Sequence, residues 1–527
     1  MEKTPAFAAP LKLGKHSFRV TTKSREAQRA FDRGLTLSYA FSHEAAAEEF
    51  LKAAQLDPKL AMVWWGVALV NGPHINFPLV PPDHAQAAWD ALTKAQALAP
   101  AASTVERALI KALATRYANP QPEDRGPLDQ AYANAMRDVA RAFPRNADVA
   151  CLFAESLMDL HPWDLWKVDG KPQPWTPEIV TALNTALRIN PAHPGANHLL
   201  IHAVEASPTP ERALAAANRL RTLVPDASHL VHMPSHIYAR VGRWGDAASS
   251  NLVAERVDKA YRATHAKPGF YAVYMAHNSH FLAFTAMMRG RSEEAIRSGR
   301  KMVSEVPPEL LQELAPIVDG YMIFVSEVLM RFGRWNDLLA EPKPPEGLPL
   351  SLALWHFTRA VANNALDRAD DAAKEKAAFL AAAANVPADY TFGNSTAADL
   401  LSIASKVLDG EIAARAGRYD EAIANLRDAV RLEDTLRYDE PPDWIQPARH
   451  TLGAVLLRAG KPVEAEATYR EDLKRFPENG WSLFGLSRAL EAQGRKKEAA
   501  AAQARFVRAW ASADVKIDST CYCQPGA

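Results

Sequence analysis

The chain is expected to fold as an all-α right-handed superhelix, a solenoid of stacked helix pairs interrupted by long loop insertions, and three observations predict it. First, the histidine-bearing segments ANHLLIHAVE and SHLVHMPSHIY recur at a fixed interval, His198 to His232 and His202 to His236 each being 34 residues apart. That is the length of one helix-turn-helix unit that stacks on its neighbours. Second, glycines, alanines and prolines return at matching offsets, where paired helices approach and where the second helix of a pair stops. Third, alternating Val/Ile/Thr runs between turn dipeptides are almost absent, so strand signals are missing. With 527 residues an array of this kind has room for each repeat to bury its face on the next.

Taken in order, the first unit places Gly34, Ala46, Phe50, Ala53 and Pro58 at the expected offsets, and Trp64 opens the following helix. The frame continues through Ala88 and Pro100, Ala213 and Pro225, Gly242 and Ala247, then Gly290 and Ala295, with Gly333 marking a further turn. Later units repeat the scheme with Gly410, Gly417, Ala422 and Ala429, and again with Gly453, Gly460, Ala465, Tyr469 and Pro477. These residues resemble the tetratricopeptide repeat family over roughly residues 24–511. The resemblance implies a concave groove lined by the first helix of each pair, and a usual role in binding peptides or partner proteins. The pattern from AFSHEAAAEEFLKAAQLDP and WWGVALVNGPHIN through HLVHMPSHIYARVGR to YREDLKRFPENGWSLFGL is also similar to a widespread group of long bacterial tetratricopeptide proteins. That likeness implies the fold and the repeat frame, and no reaction. The expected organisation is an extended segment over 1–23, the helical superhelix over 24–511 with a His-rich groove at 198–280, and a tail over 512–527.

Composition narrows the function classes. Hydrophobic residues at 48% and charged residues at 23% describe an ordinary globular protein. Lys plus Arg equals Asp plus Glu, 61 each, so no net field draws the chain toward nucleic acid or an anionic membrane. No run reaches the roughly 18 apolar residues of a membrane span. The start, MEKTPAFAAPLKLGKHSF, lacks the apolar core of a signal peptide. The chain as written is expected to be cytoplasmic, or periplasmic if a leader was removed. Three cysteines, Cys151, Cys521 and Cys523, cannot build a disulfide framework; the terminal CYC can bind metal or oxidise, but a disordered tail is the expectation.

Departures from regularity mark loops long enough to cover a site. Residues 71–84, NGPHINFPLVPPDH, lengthen one turn; residues 160–177, LHPWDLWKVDGKPQPWTP, lengthen another; and YDEPPDWIQP precedes a later helix. His74 and Asn76 lie in the first loop and are candidates to cap the groove. Trp163, Trp166 and Trp175 in the second are expected to pack beneath their own loop rather than stack on a ligand.

The histidines carry the functional signal. Counted from Pro191, His198, His202 and Glu205 take the fifth, ninth and twelfth positions of a first helix; His229, His232 and His236 take the second, fifth and ninth of the next, and His277 and His280 the second and fifth of a third. In the tetratricopeptide family those positions face the concave groove. Helical geometry alone agrees, because residues four apart share a face. Packed helices run about 8–10 Å apart, close enough for facing imidazoles to share an ion at about 2.0–2.1 Å per nitrogen. Seven of the 16 histidines fall within 83 residues on one expected face, which favours metal or catalytic use over neutral hydrogen-bonded histidines between helices. The isolated His16, His84, His265, His356 and His450 are expected to be satisfied core or surface residues.

Imidazole-rich coordination suits transition metals, and two further His pairs beside His-x-x-x-His-x-x-Glu favour copper or zinc, with room for two ions. With zinc the chemistry is hydrolytic: bound water acquires a pKa of about 7 and Glu205 takes its proton. With copper it is oxidative. Upstream, Arg107 and Lys111 are placed on the same face, and Glu155 and Asp159 on the next helix, as candidates to hold an anionic or zwitterionic small molecule or peptide. A metal-dependent enzyme is the leading expectation. A non-catalytic peptide-binding scaffold, or metal storage and delivery using the same histidines with Met233 and the CYC tail, are the alternatives.

Overall fold

The computed structural model describes residues 11–263, 265 and 269–524. The all-α expectation holds: helices succeed one another from Arg25–Ser38 to Lys496–Ala509. Among the described residues the strands are the two-residue antiparallel pair Thr391–Phe392 and Ser395–Thr396. None of the described helices is long and apolar enough to cross a membrane. Where the repeat frame suggested one domain over 24–511, the chain divides into two compact units, residues 1–237 with 256–266 and residues 238–255 with 267–527.

The first unit shows why the small residues recur. Ser24 caps Arg25–Ser38 by accepting the Ala27 N–H, and the helix buries Ala27, Ala30, Phe31 and Leu35 on one stripe. Its partner His43–Leu56 presents the fully buried Phe50 to Gly34 on one side and to Gly66 of Ala61–Val70 on the other. A Cβ at either glycine would lie 2.7 Å from the Phe50 ring, so a hydrogen is all that fits. The second unit repeats the device with Tyr469, whose ring would meet a Cβ on Gly453 at 2.3 Å and on Gly485 at 2.2 Å. An aromatic of each second helix thus keys between the first helices that flank it.

Residues 11–23 form no helix or strand and are packed: Leu13, Phe18 and Val20 are buried, and the Phe18 and Val20 amides donate to Asp32 Oδ1 and Gln28 Oε1, both at 3.1 Å. Residues 1–10 lie outside the described residues. In the 71–84 loop Arg116 donates to the Pro73 carbonyl at 3.1 Å, and Tyr117 donates to the Ala68 carbonyl of the preceding helix Ala61–Val70 at 2.6 Å. In the 160–177 loop Trp166 Nε1 donates to Ala203 O at 2.8 Å, and Trp175 stacks on His161 at 3.6 Å between centroids while donating to Asp164 O.

The second unit corrects the reading of the C-terminus. Cys521 and Cys523 belong to a hydrophobic core with Phe357, Leu408 and Trp444. Thr520 bonds both the Tyr469 hydroxyl, at 2.9 Å, and the His450 carbonyl, at 2.7 Å. The described part of the tail is docked because its sulfurs and threonine fill apolar and polar gaps that the helices leave.

Candidate metal centre

The helix Pro194–Val204 starts on His193, whose Nδ1 accepts the Ala196 N–H at 3.0 Å. Gly195 lets this helix press against Tyr39: a Cβ there would fall 2.4 Å from Tyr39 Cδ1 and 3.0 Å from Cys151 Sγ. The approach sets His198 Nδ1 at 2.7 Å from the Tyr39 carbonyl oxygen. That acceptor requires the hydrogen on Nδ1 and leaves the lone pair on Nε2. One turn later His202 Nδ1 lies 2.8 Å from Glu205 Oε1, and its buried Nε2 has no hydrogen-bond partner.

The next repeat was expected to supply one continuous helix. Instead Pro234, which has no N–H to continue the ladder, divides it into Ser228–His232 and Pro234–Arg240. His232 and His236 still meet, with their Nε2 atoms 2.8 Å apart. His236 Nδ1 lies 2.6 Å from the second oxygen of Glu205, and His229 Nε2 lies 3.1 Å from His198 Nε2. The first unit therefore gathers His198, His202, His229, His232 and His236 around Glu205. The ligand nitrogens of His198, His202 and His229 all lie within 4.8 Å of one another. Around a tetrahedral ion with bonds of about 2.0–2.1 Å such nitrogens sit roughly 3.3 Å apart, so small movements suffice to close the set on a metal.

Electrostatics suit ligation. None of these six residues is more than 6% exposed. Burial, with His202 as a like-charged neighbour, holds His198 far below the usual imidazole range, and burial lowers His202 despite Glu205. Both offer neutral rings. Burial pushes Glu205 up, but His236 and His202 pull it down to about 2, leaving a carboxylate that receives an imidazole N–H on each oxygen. This geometry revises the role assigned to Glu205: with both oxygens engaged it orients His202 and His236, as a carboxylate behind metal-ligating histidines does, rather than standing free as a base.

Aromatic walls close around the imidazoles. Phe41 lies 4.6 Å from His198 and 5.5 Å from His229 between ring centroids, and Trp163 lies 5.3 Å from His202. Both hold positive φ, 55° and 57°, a left-handed conformation that costs a non-glycine residue on the order of 1–2 kcal/mol. Trp163 thus departs from the expectation of packing under its own loop. His74 sits 4.9 Å from Phe41 and 4.6 Å from His43, and the Asn76 amide donates to His74 Nδ1 at 3.3 Å.

His277 and His280 belong to the second unit. There His280 is boxed by Phe324 at 4.5 Å and Tyr321 at 5.5 Å and pushed down to about 3 by burial. Arg107 and Lys111 are exposed. Thr104–Leu113 buries Glu106, Leu109, Ile110 and Leu113, which turns both cations outward, and Arg107 bonds the Ala102 carbonyl and Thr104. The buried cation is Arg116, 2.7 Å from Asp159 and 3.2 Å from Asp129. Glu155 and Asp159 line a small cavity with it, raised to about 8 and about 6, first by burial. Sequence reasoning also missed Asp148, which joins His16 at 2.9 Å, His193 at 3.2 Å and the Tyr39 hydroxyl at 2.9 Å. Its partners are distant in sequence, so no local spacing pointed to it. His43, by contrast, lay within the quoted AFSHE segment.

No family model matches the chain, and no curated protein does. Solved structures with similar folds include a human IFIT1 dimer with m7Gppp-AAAA (13% identity, 93% of this chain and 91% of that one, TM-score 0.33). Others are the APC/C hetero-tetramer Cut9-Hcn1 (15%, 88% and 76%, 0.31) and yeast Tom70 (12%, 90% and 90%, 0.29). The chain is an all-α protein of successive helix pairs.

Proposed function

We propose that this is a metal-dependent enzyme whose first unit holds copper or zinc between His198, His202 and His229, with His232 and His236 beside them and Glu205 orienting two of the rings. The observation that carries the reading is the set of three buried imidazoles whose ligand nitrogens share one space. Support comes from the tautomers: the Tyr39 carbonyl takes the His198 Nδ1 hydrogen and Glu205 that of His202, so both Nε2 lone pairs point to the common space. The buried His202 Nε2 has no hydrogen-bond partner, so its lone pair is available to an ion. Each Glu205 oxygen already accepts an imidazole hydrogen, which suits an orienting carboxylate better than a hydrolytic base and favours copper and oxidative chemistry on a small molecule. Burial between Phe41 and Trp163 supports the same choice, since it admits oxygen or water more readily than a peptide.

Elemental analysis of tag-free protein, beside a His198→Ala/His202→Ala/His229→Ala variant shown to be folded by circular dichroism, tests the reading. Stoichiometric copper or zinc in the parent and its loss in the variant are expected. A folded parent that takes up no metal on reconstitution overturns it. The scaffold reading draws on a different feature, an apolar groove of about 400 Å³ in the second unit lined by Phe379, Leu380, Val386 and Leu401. It predicts peptide binding that survives the histidine substitutions.

A further inference from the structure

The second unit buries a different set of metal-ligating groups. Cys521 and Cys523 are joined by a disulfide that spans one residue, and both are at most 3% exposed. Glu411, on the helix Ala397–Arg415, points one oxygen at them, 2.7 Å from Cys523 Sγ and 3.6 Å from Cys521 Sγ, while its other oxygen accepts from Gln524 Nε2. A disulfide sulfur has no hydrogen to donate. The first oxygen therefore faces two atoms that carry only lone pairs, away from bulk solvent, an arrangement costly for a carboxylate without a cation or a proton. Burial duly raises Glu411 to about 7, against the hydrogen bonds from Gln524 and Thr451.

Two further observations point into the same space. A cavity of about 10 Å³, room for one water or one ion, is lined by Glu411, Cys523, Gln446, Thr451 and Met330. Gln446 Nε2 lies 3.6 Å from Cys521 Sγ, while its buried Oε1 has no hydrogen-bond partner. Exchanging the amide oxygen and nitrogen, which are distinguished by their partners alone, turns an oxygen donor toward the sulfurs.

We infer that, when the disulfide is reduced, Cys521, Cys523 and Glu411 form a buried site for one thiophilic metal ion of the Zn²⁺ class, with the Gln446 amide oxygen as the fourth donor. The ligand atoms lie within 4.8 Å of one another, against roughly 3.6–3.8 Å between ligands around a tetrahedral ion bound by sulfur and oxygen. The chemistry balances. A dithiol reductant gives two electrons and two protons to the S–S bond and becomes a disulfide itself, and Zn²⁺ then replaces the two thiol protons, forming two Zn–S bonds and releasing two H⁺. Because Thr520, Cys521, Cys523 and Gln524 all sit in this packing, the ion clamps the C-terminal segment onto its unit.

The test uses the full chain, reduced with a water-soluble phosphine, which becomes its oxide by taking the oxygen of water while the disulfide becomes two thiols. Co²⁺ serves as the probe, since its sulfur-to-metal charge-transfer absorption reports thiolate ligands and is silent for imidazole. One equivalent of Co²⁺ should raise that band in the reduced parent, in Cys151→Ser and in the His198→Ala/His202→Ala/His229→Ala variant, and Zn²⁺ should bleach it. It should be absent from oxidised protein and from Cys521→Ser/Cys523→Ser, and Glu411→Gln should weaken Co²⁺ binding at least tenfold. No band in the reduced parent, or a band that survives in the double serine variant, overturns the inference. If that variant fails to fold, Cys523→Ser and Glu411→Gln decide it, and undiminished binding in both has the same meaning. The outcome is independent of the histidine centre, whose loss leaves the sulfur band in place.

Discussion

Glu205→Gln is the substitution that separates an orienting carboxylate from a bystander. Both oxygens of Glu205 accept imidazole hydrogens, from His202 at 2.8 Å and from His236 at 2.6 Å. Glutamine keeps the shape but offers one acceptor and one NH₂ donor. Its oxygen still receives one Nδ1 hydrogen; its NH₂ faces the other ring and forces that ring to accept at Nδ1. The displaced hydrogen moves to Nε2, the atom that a metal needs bare. Loss of such support behind a ligand costs typically 10–100-fold in metal affinity, or about 1.4–2.7 kcal/mol. Competition against a chromophoric chelator should read that loss for copper or zinc, with circular dichroism confirming the fold. An affinity within threefold of the parent would refute the argument, because the ring tautomers would then be indifferent to Glu205.

Three other outcomes follow from the geometry. Gly195→Ala, which sets a methyl 2.4 Å from Tyr39 Cδ1, should destabilise the protein by about 1–3 kcal/mol in urea unfolding and weaken metal binding through the His198 contact to Tyr39. Arg107→Ala and Lys111→Ala should each stay within about 0.5 kcal/mol of the parent, whereas Arg116→Met, which strands the buried Asp159, should cost about 3–5 kcal/mol. Burial alone raises Glu327 from 4.5 to about 8, so between those values the folded state holds a proton that the unfolded state has released. Stability from this group is complete below pH 4.5 and lost as the pH rises to about 8, by on the order of 4 kcal/mol; urea midpoints of Glu327→Gln measured over that range should show a flatter decline than the parent.

Much of the fold was legible because its causes are local and periodic. The recurrence of Gly34 with Phe50 and later of Gly453 with Tyr469 reports a close contact within a helix pair, so the spacing alone exposed it. The histidine spacing was legible for the same reason: His198 and His202 share a helix face, and a 34-residue interval carries that face into the next repeat. Pro234 interrupted the helix without moving His232 away from His236, since a one-residue break preserves roughly the same direction of the chain. Around Arg107 and Lys111 the frame was extended without an anchor, and it is buried Leu109, Ile110 and Leu113 that fix that helix's inner face.

The residues around the centre that escaped reading are those held by contacts far apart in the chain. Tyr39 reaches His198 across 159 positions and Asp148 reaches His16 across 132; no pattern of neighbours encodes either. The helical class, the repeat interval and the clustering of imidazoles are properties of short-range periodicity, and the amino-acid order is sufficient for them. Which nitrogen of each ring is left bare, which carboxylate orients it, which arginine is buried and where Cys521 and Cys523 come to rest depend on packing between elements distant in sequence. Desolvation and hydrogen-bond geometry act on those groups only after the helices have met.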